Sequence, residues 1–239
     1  MLINPNQKRV VNVDGVQLST VSVDCVIFGL EGDELKVLLI QHDEGPVEGQ
    51  WALPGDYVKF DFDLEEMPSI VLKQLTGLEN VFVELFDVLG KVNRVAHQRV
   101  ITAAYFALIS TEKYELKKGL EARDIKWVDI HNIPDLIYDH NEIIKKGYEA
   151  LKLKLRTEPI GVELLPKQFT LTQFQKMYET ILDIKLDTRN FRKKILKEDI
   201  LIDTNQKELN VPYRAPNLYT FNAEKYDTLK AKGYFLNIY

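Results

Sequence analysis

The chain has 239 residues, 45% apolar and 28% charged, which suits one large or two modest globular domains and excludes a disordered polymer. The lone cysteine, Cys25, excludes an internal disulfide and lies in the apolar run Val23–Phe28, where a thiol serves as a small core residue. Net charge is −5, but residues 157–239 carry 13 basic and 11 acidic side chains, net +2, against 18 basic and 25 acidic, net −7, in residues 1–156; an acidic partner is expected for the second half.

The opening MLINPNQKRVVNVDG is polar and lacks a secretory pattern, and no apolar run approaches the ~20 residues that span a bilayer. A cytoplasmic protein with no membrane partner is expected. Thr20–Leu30 and Leu35–Gln41, rich in Val, Ile and Leu, predict two strands joined by the turn Glu31-Gly32-Asp33. A loop over His42–Gln50 leads to the short apolar segment Trp51-Ala52-Leu53-Pro54-Gly55-Asp56. Leu64–Leu75 predicts a helix with Asp63 as N-cap, Glu66 completing a capping box and Gly77 as a left-handed stop; Pro68 falls near its first turn. Further strands are predicted at Val81–Gly90, Arg99–Ile109 and Ile125–Asp129. A helix follows over Asn141–Leu155, with Ile143, Ile144, Tyr148, Leu151 and Leu155 as its apolar stripe. This order predicts an α/β (α+β) sandwich over residues 1–156.

Thr157–Gly161 reads as a linker. Beyond it, Leu171–Leu182 predicts a helix with Thr170 and Gln173 as a capping box, then a turn over Asp183–Leu186 and a second helix, Thr188–Lys197, capped by Asp187. Short strands at Ile200–Asp203 and Leu218–Phe221 flank a polar loop, Thr204–Pro216, and a last helix covers about Ala223–Lys232. Helix, tight turn, helix and hairpin is the order of a winged helix-turn-helix, here over residues 157–239.

Trp51-Ala52-Leu53-Pro54-Gly55, followed by a helix ending Leu75-Thr76-Gly77-Leu78, resembles the Nudix box, G-x5-E-x7-R-E-U-x-E-E-x-G-U. Anchored on Gly77 and Leu78, the opening glycine slot falls on Asp56, the first glutamate slot on Phe62 and the arginine slot on Ile70. Three carboxylates at i, i+3 and i+4 of a helix share one face and hold Mg²⁺ for diphosphate hydrolysis. Here those slots hold Val71, Gln74 and Leu75. Glu65 and Glu66 project from other faces. No catalytic residue, metal ligand or cofactor is therefore expected, and the chain reads as a binding protein; a hydrolase of ADP-ribose or a related nucleotide is the alternative.

In the second helix of the helix-turn-helix, Phe191, Ile195 and Leu196 are expected to face the core. Thr188, Arg189, Asn190, Arg192, Lys193, Lys194 and Lys197 form its outer side, joined by Lys207 and Arg214 from the wing. Arg and Asn near the helix start match guanine and adenine edges, and the lysines match phosphates. Ile160–Thr172 and Asp187–Lys194 resemble the C-terminal domain of the Nudix-related transcriptional regulators of bacteria, so that the resemblance spans nearly the whole chain. It implies a Nudix sensor, a winged helix reading double-stranded operator DNA as a homodimer, and an effector that is either ADP-ribose, in regulators of NAD metabolism, or a sugar such as L-arabinose. Tyr138-Asp139-His140 matches the Asp-His pair of the family, and His140 reads as a capping or structural residue. Without a metal site to hold a diphosphate, a neutral sugar such as arabinose is the expected effector, with ADP-ribose sensing the alternative. Gln41, Asp56, Lys59, Arg94, His97 and Arg99 are the expected pocket residues, and a sugar-responsive repressor is the expected function.

Overall fold

The computed structural model describes residues 20–96, 98–119, 122–209, 212 and 215–233. In chain order these form β1 (Thr20–Glu31), β2 (Glu34–His42), β3 (Trp51–Ala52), β4 (Gly55–Tyr57), α1 (Met67–Thr76), β5 (Glu84–Leu89), β6 (Val100–Ser110), β7 (Ala122–Asp129) and α2 (His140–Thr157). There follow α3 (Leu171–Leu182), α4 (Thr188–Lys197), β8 (Leu201–Lys207), β9 (Asn217–Phe221) and α5 (Ala223–Ala231). A mixed sheet between two helices, then a winged helix-turn-helix, is the architecture the sequence predicts.

The first sheet runs β3-β2-β1-β6-β5, with β4 added to β1 and β7 to β2. β1 and β6 pair in parallel from Thr20↔Val100 to Leu30↔Ser110. Both faces of this pair are covered, which explains the near-continuous apolar run of β1. Side chains alternate along it. Val23, Cys25 and Ile27 pack with Met67, Val71, Leu72 and Leu75 of α1, whereas Val26 and Phe28 join Ile143, Ile144, Leu151 and Leu155 of α2. The same period of two puts Ser22 and Asp24 on the α2 face.

α1 starts at Met67, three residues later than the sequence predicts, and its N-cap, Glu66, makes no side-chain cap bond. Pro68 explains the delay: it lacks an N–H and disfavours helical backbone in the residue before it, so it stands at the start of the helix rather than within it. Half of the expected capping box survives, with the Asp63 N–H donating to Glu66 Oε2 at 3.0 Å. Gly77 closes the helix at φ 71, its N–H donating to Lys73 O. β5 begins at Glu84 rather than Val81, and β7 begins at Ala122 because it follows β2 along most of that strand's length.

The α3 capping box of Thr170 and Gln173 is present, and Asp187 caps α4 by accepting from the Asn190 N–H. Asp183 ends α3 in the left-handed region, φ 55. Gln175 Nε2 donates to Leu186 O and Thr188 Oγ1, and Glu179 Oε1 accepts from the Leu186 N–H, so side chains of α3 fix the turn into α4. The rings of Phe169, Phe174, Tyr178 and Phe191 lie 5.1–6.0 Å apart and clamp α4 to α3. Leu196 departs from expectation: it is 45% exposed. Phe191 and Ile195, four apart, take the core-facing line, and Leu196 lies 100° further round. β8 also extends to Lys207, which pairs with Asn217, so the first part of the predicted wing loop is strand.

The segment read as a linker is packed. α2 continues to Thr157, and Gly161 is buried where a Cβ would lie 2.7 Å from the Met177 methyl. Leu151 and Leu155 belong to the same apolar cluster as Phe169, Phe174, Met177, Tyr178 and Ile181. Tyr148 Oη donates to Ile181 O at 3.0 Å, and Lys176 pairs with Asp33 across the same boundary. No described helix is long and apolar enough to cross a membrane. Because one cluster serves both halves, Leu155→Ala is expected to cost about 2–5 kcal/mol. Fluorescence of Trp51 and Trp127 and far-UV circular dichroism in a urea titration should report one shared transition at lower denaturant; separate transitions would contradict a common core.

Candidate effector cavity and DNA-facing helix

The N-terminal part of β1, the β3–β4 corner, the loop at 91–96 and the first turn of α2 converge on a cavity of about 160 Å³. Its walls include Ser22, Asp24, Tyr57, Arg94, Tyr138 and His140. Arg94 is nearly inaccessible, at 3% side-chain exposure. Its Nε and Nη2 donate to the two oxygens of Asp139 at 2.9 and 2.7 Å, and Nη1 donates to Thr102 Oγ1 at 2.5 Å. This bidentate pairing is what allows a guanidinium to be buried here. Thr102 Oγ1 lies 2.7 Å from Ser22 Oγ, tying β6 to β1.

His140 occupies the first position of α2 and is buried. Its Nδ1 accepts from the Leu53 N–H at 3.0 Å, which leaves the proton of the neutral ring on Nε2. Nε2 faces Asp24 Oδ2 at 3.8 Å. Burial pushes the imidazole below its ordinary pKa, against the pull of the Asp24 and Asp139 carboxylates. Burial likewise raises the Asp24 carboxyl, opposed by His140 and Arg94.

Gly55 stands opposite Asp24 in the β1–β4 pair, and a Cβ there would lie 2.1 Å from Asp24 Oδ1 and 2.8 Å from Val23 O. The Pro-Gly turn of the box thus makes room for a buried carboxylate. Tyr138 holds φ 53, costly for a bulky residue, and its ring stands edge-on to His140 at 5.8 Å.

A second lobe of about 200 Å³ shares His42, Gly55 and Asp56 with the first. It runs along α1 past Val71, Gln74 and Leu75, with Asp43 and Glu44 on its outer side. These α1 residues fill the slots of the metal-binding glutamates; Val71 and Leu75 are buried and Gln74 is exposed.

Of the pocket residues expected from sequence, Asp56 and Arg94 line the first cavity. Lys59 stands at the margin, 3.4 Å from Asp56 Oδ2 and 3.5 Å from Gln74 Oε1. Gln41 and Arg99 do not line the cavities. Gln41 Nε2 donates to Gly49 O, and Arg99 Nη1 to Gly90 O and Lys91 O, so both hold loops through backbone carbonyls. His97 and Arg214 lie outside the described residues. Sequence reasoning missed Asp24, His42, Tyr57 and Tyr138. One signal was available: Asp24 is the only charged residue between Thr20 and Leu30.

On α4, Thr188, Arg189, Asn190, Arg192, Lys193 and Lys197 are exposed and Lys194 is half-buried, opposite the buried Phe191 and Ile195. Arg192 Nη2 donates to Thr172 Oγ1 at 3.1 Å, and Lys207 is exposed on β8.

Residues 161–221 match the model of the NrtR DNA-binding winged helix domain. The ADPR-responsive transcriptional repressor NtrR of Acinetobacter baylyi is 30% identical over 210 residues, 86% of this chain and 83% of that protein. An ADP-ribose pyrophosphatase of Methanocaldococcus jannaschii is 34% identical over 119 residues, 50% of this chain and 69% of that protein. Shewanella oneidensis NrtR complexed with a 27mer DNA aligns with TM-score 0.72 and 27% identity, over 90% of this chain and 97% of that one. The Nudix domain of the same Shewanella protein, complexed with ADP ribose, aligns with TM-score 0.54 and 27% identity, over 59% and 94%.

The depressed His140 pKa has a consequence for stability. The unfolded chain binds a proton that the folded chain excludes, so the contribution is complete above the ordinary histidine value near 6.5 and is lost as pH falls through the depressed one. Between pH 7 and pH 5 the melting temperature is expected to fall more steeply for wild type than for His140→Asn, whose amide oxygen still accepts from Leu53. Parallel curves in differential scanning calorimetry would contradict this.

Proposed function

We propose that this chain, which belongs to the NrtR-like family of Nudix-related transcriptional regulators, is a repressor that reads operator DNA with α4 and takes ADP-ribose in the cavity at the start of α2. Its general character follows from the family: a transcriptional regulator with a Nudix-like ligand-sensing domain and a DNA-binding winged helix. The observation that carries the specific reading is the likeness to an ADPR-responsive repressor over 86% of the chain, with a cavity and a basic helix where such a protein needs them. The sugar expected from the sequence gives way to ADP-ribose, because the Acinetobacter repressor is ADPR-responsive and the Shewanella Nudix domain is complexed with ADP ribose. Two adjoining lobes also suit a two-part ligand.

In this reading the Nudix-like domain binds and does not hydrolyse. Divalent cations need oxygen ligands, and Val71, Gln74 and Leu75 do not supply a set that fits one. Among the described residues no three His, Cys, Asp or Glu side chains cluster to hold a metal. The likeness to an ADP-ribose pyrophosphatase gives the hydrolase alternative a definite test: Mg²⁺-dependent cleavage of ADP-ribose into AMP and ribose phosphate would overturn the binding-only reading.

In this reading Arg189 and Asn190, in the first turn of α4, meet base edges. Arg192, Lys193, Lys194 and Lys197, with Lys207 on β8, meet phosphates, and Thr188 opens the helix beside them. A palindromic operator read by one such helix per half-site calls for a homodimer. Arg189→Ala and Arg192→Ala are each expected to weaken operator binding about tenfold or more in gel shifts at fixed salt, with unchanged melting temperature. Unchanged binding in both variants would remove the assignment of α4. In the same assay ADP-ribose should alter the shift and L-arabinose should not; the reverse would restore the sugar effector.

A further inference from the structure

We propose that Asp24 is the recognition residue of the first cavity and takes the hydroxyl groups of a sugar ring, with Tyr138 forming the wall against which the ring lies. This rests on the reading of that cavity as the effector site and adds the chemistry by which the site selects. Asp24 is 6% exposed and lines the cavity. Among the described residues, Arg94 Nη2 and His140 Nε2 each stand 3.8 Å from its Oδ2, beyond hydrogen-bond reach. Arg94 meanwhile gives three of its five N–H groups to Asp139 and Thr102, and His140 Nδ1 accepts from Leu53. A carboxylate this removed from water, with no donor among the described residues at hydrogen-bond distance, is costly, and the cavity is where donors can enter.

The arrangement is selective by charge and by hydrogen-bond sense. A carboxylate facing an imidazole N–H and a guanidinium offers an acceptor and donors around one point. A phosphate, which only accepts, meets Asp24 as a like charge. An ammonium, which only donates, meets Arg94. A hydroxyl does both, donating to Asp24 and accepting from His140 or Arg94, and two neighbouring hydroxyls can occupy both carboxylate oxygens. Tyr138 is held in a left-handed conformation that L residues adopt at a cost, and the apolar C–H face of a sugar suits an aromatic wall. Gly55 completes the device, since any side chain there would occupy the space of Asp24 Oδ1. The hydroxyls can come from a ribose of a nucleotide sugar or from a free pentose.

Titration calorimetry on the full chain, with ADP-ribose, D-ribose, L-arabinose and 2-deoxy-D-ribose as probes, separates these. Whichever ligand binds wild type should bind Asp24→Asn and Asp24→Ser at least about tenfold more weakly. Melting of Asp24→Asn should be no lower than wild type, because an amide is cheaper to bury than a carboxylate. If a free pentose is the ligand, removing a hydroxyl on the ligand side should cost a similar factor without any variant. Binding of ADP-ribose alone assigns the hydroxyls to a nucleotide sugar. Binding of a pentose alone supports Asp24 as the recognition residue and overturns the ADP-ribose reading. Unchanged affinity in both Asp24 variants overturns this proposal and leaves the effector reading standing. Wild type binding none of the probes overturns both.

Discussion

Helix α2 reaches from the cavity at its first turn to the winged helix, and its apolar stripe packs in both halves. Ile143 and Ile144 lie under the sheet, while Leu151 and Leu155 join the aromatic cluster of α3 and α4. A stripe of this width holds an amphipathic helix at a sheet by burial of about 25 cal/mol per Å² of apolar surface. Because the same residues are shared, neither half packs independently of the other. The first residue of α2, His140, enters the cavity wall, its N-cap Asp139 holds Arg94, and Tyr148, further along, bonds the last turn of α3. A ligand in the cavity therefore lies against the start of the helix whose later turns support the DNA-facing element. A difference of only ~1–3 kcal/mol between two arrangements of such a joint changes DNA affinity 5- to 150-fold.

The polar cluster at the mouth of that helix is expensive. Arg94, Asp139, Asp24 and His140 are each largely removed from water, and a buried ion pair returns its desolvation cost only with close geometry and further hydrogen bonds. Arg94 meets that condition through three short donor contacts. Asp24 does not, and burial raises its pKa accordingly. Stability alone would favour an apolar residue on this strand face, as Val26 and Phe28 show two and four positions further on.

The Nudix frame is kept in this chain. The Pro-Gly corner, the length of α1 and the left-handed Gly77 are geometric requirements of the fold, and all are kept. In the register anchored on Gly77, the glutamate positions of the box fall on the buried Val71 and Leu75 and the exposed Gln74. Val71 and Leu75 face the sheet with Met67 and Leu72, so the helix has exchanged a polar face for packing.

The sequence by itself determined most of the secondary elements, the order of the two folds and which side of α4 is basic and exposed, while the short strands β3 and β4 were read only as an apolar segment with a turn. These depend on local physics. Thr170 and Gln173 cap α3, Asp187 caps α4, Gly77 ends α1, and the spacing of Phe191 and Ile195 sets which side of α4 is buried. The elements it misjudged were ends and margins: Pro68 moved the start of α1, pairing with β9 lengthened β8, and Leu196 fell outside the core. Only the tertiary structure decided the cavity. Gln41 and Arg99 looked like ligand contacts from the position of the cleft, yet both are occupied by backbone carbonyls. Asp24, hidden in an apolar strand, reaches the site because alternation turns it toward α2 and Gly55 leaves it room. Arg94 and His140 approach it from 70 and 116 positions away, and no local rule links residues so far apart in the chain.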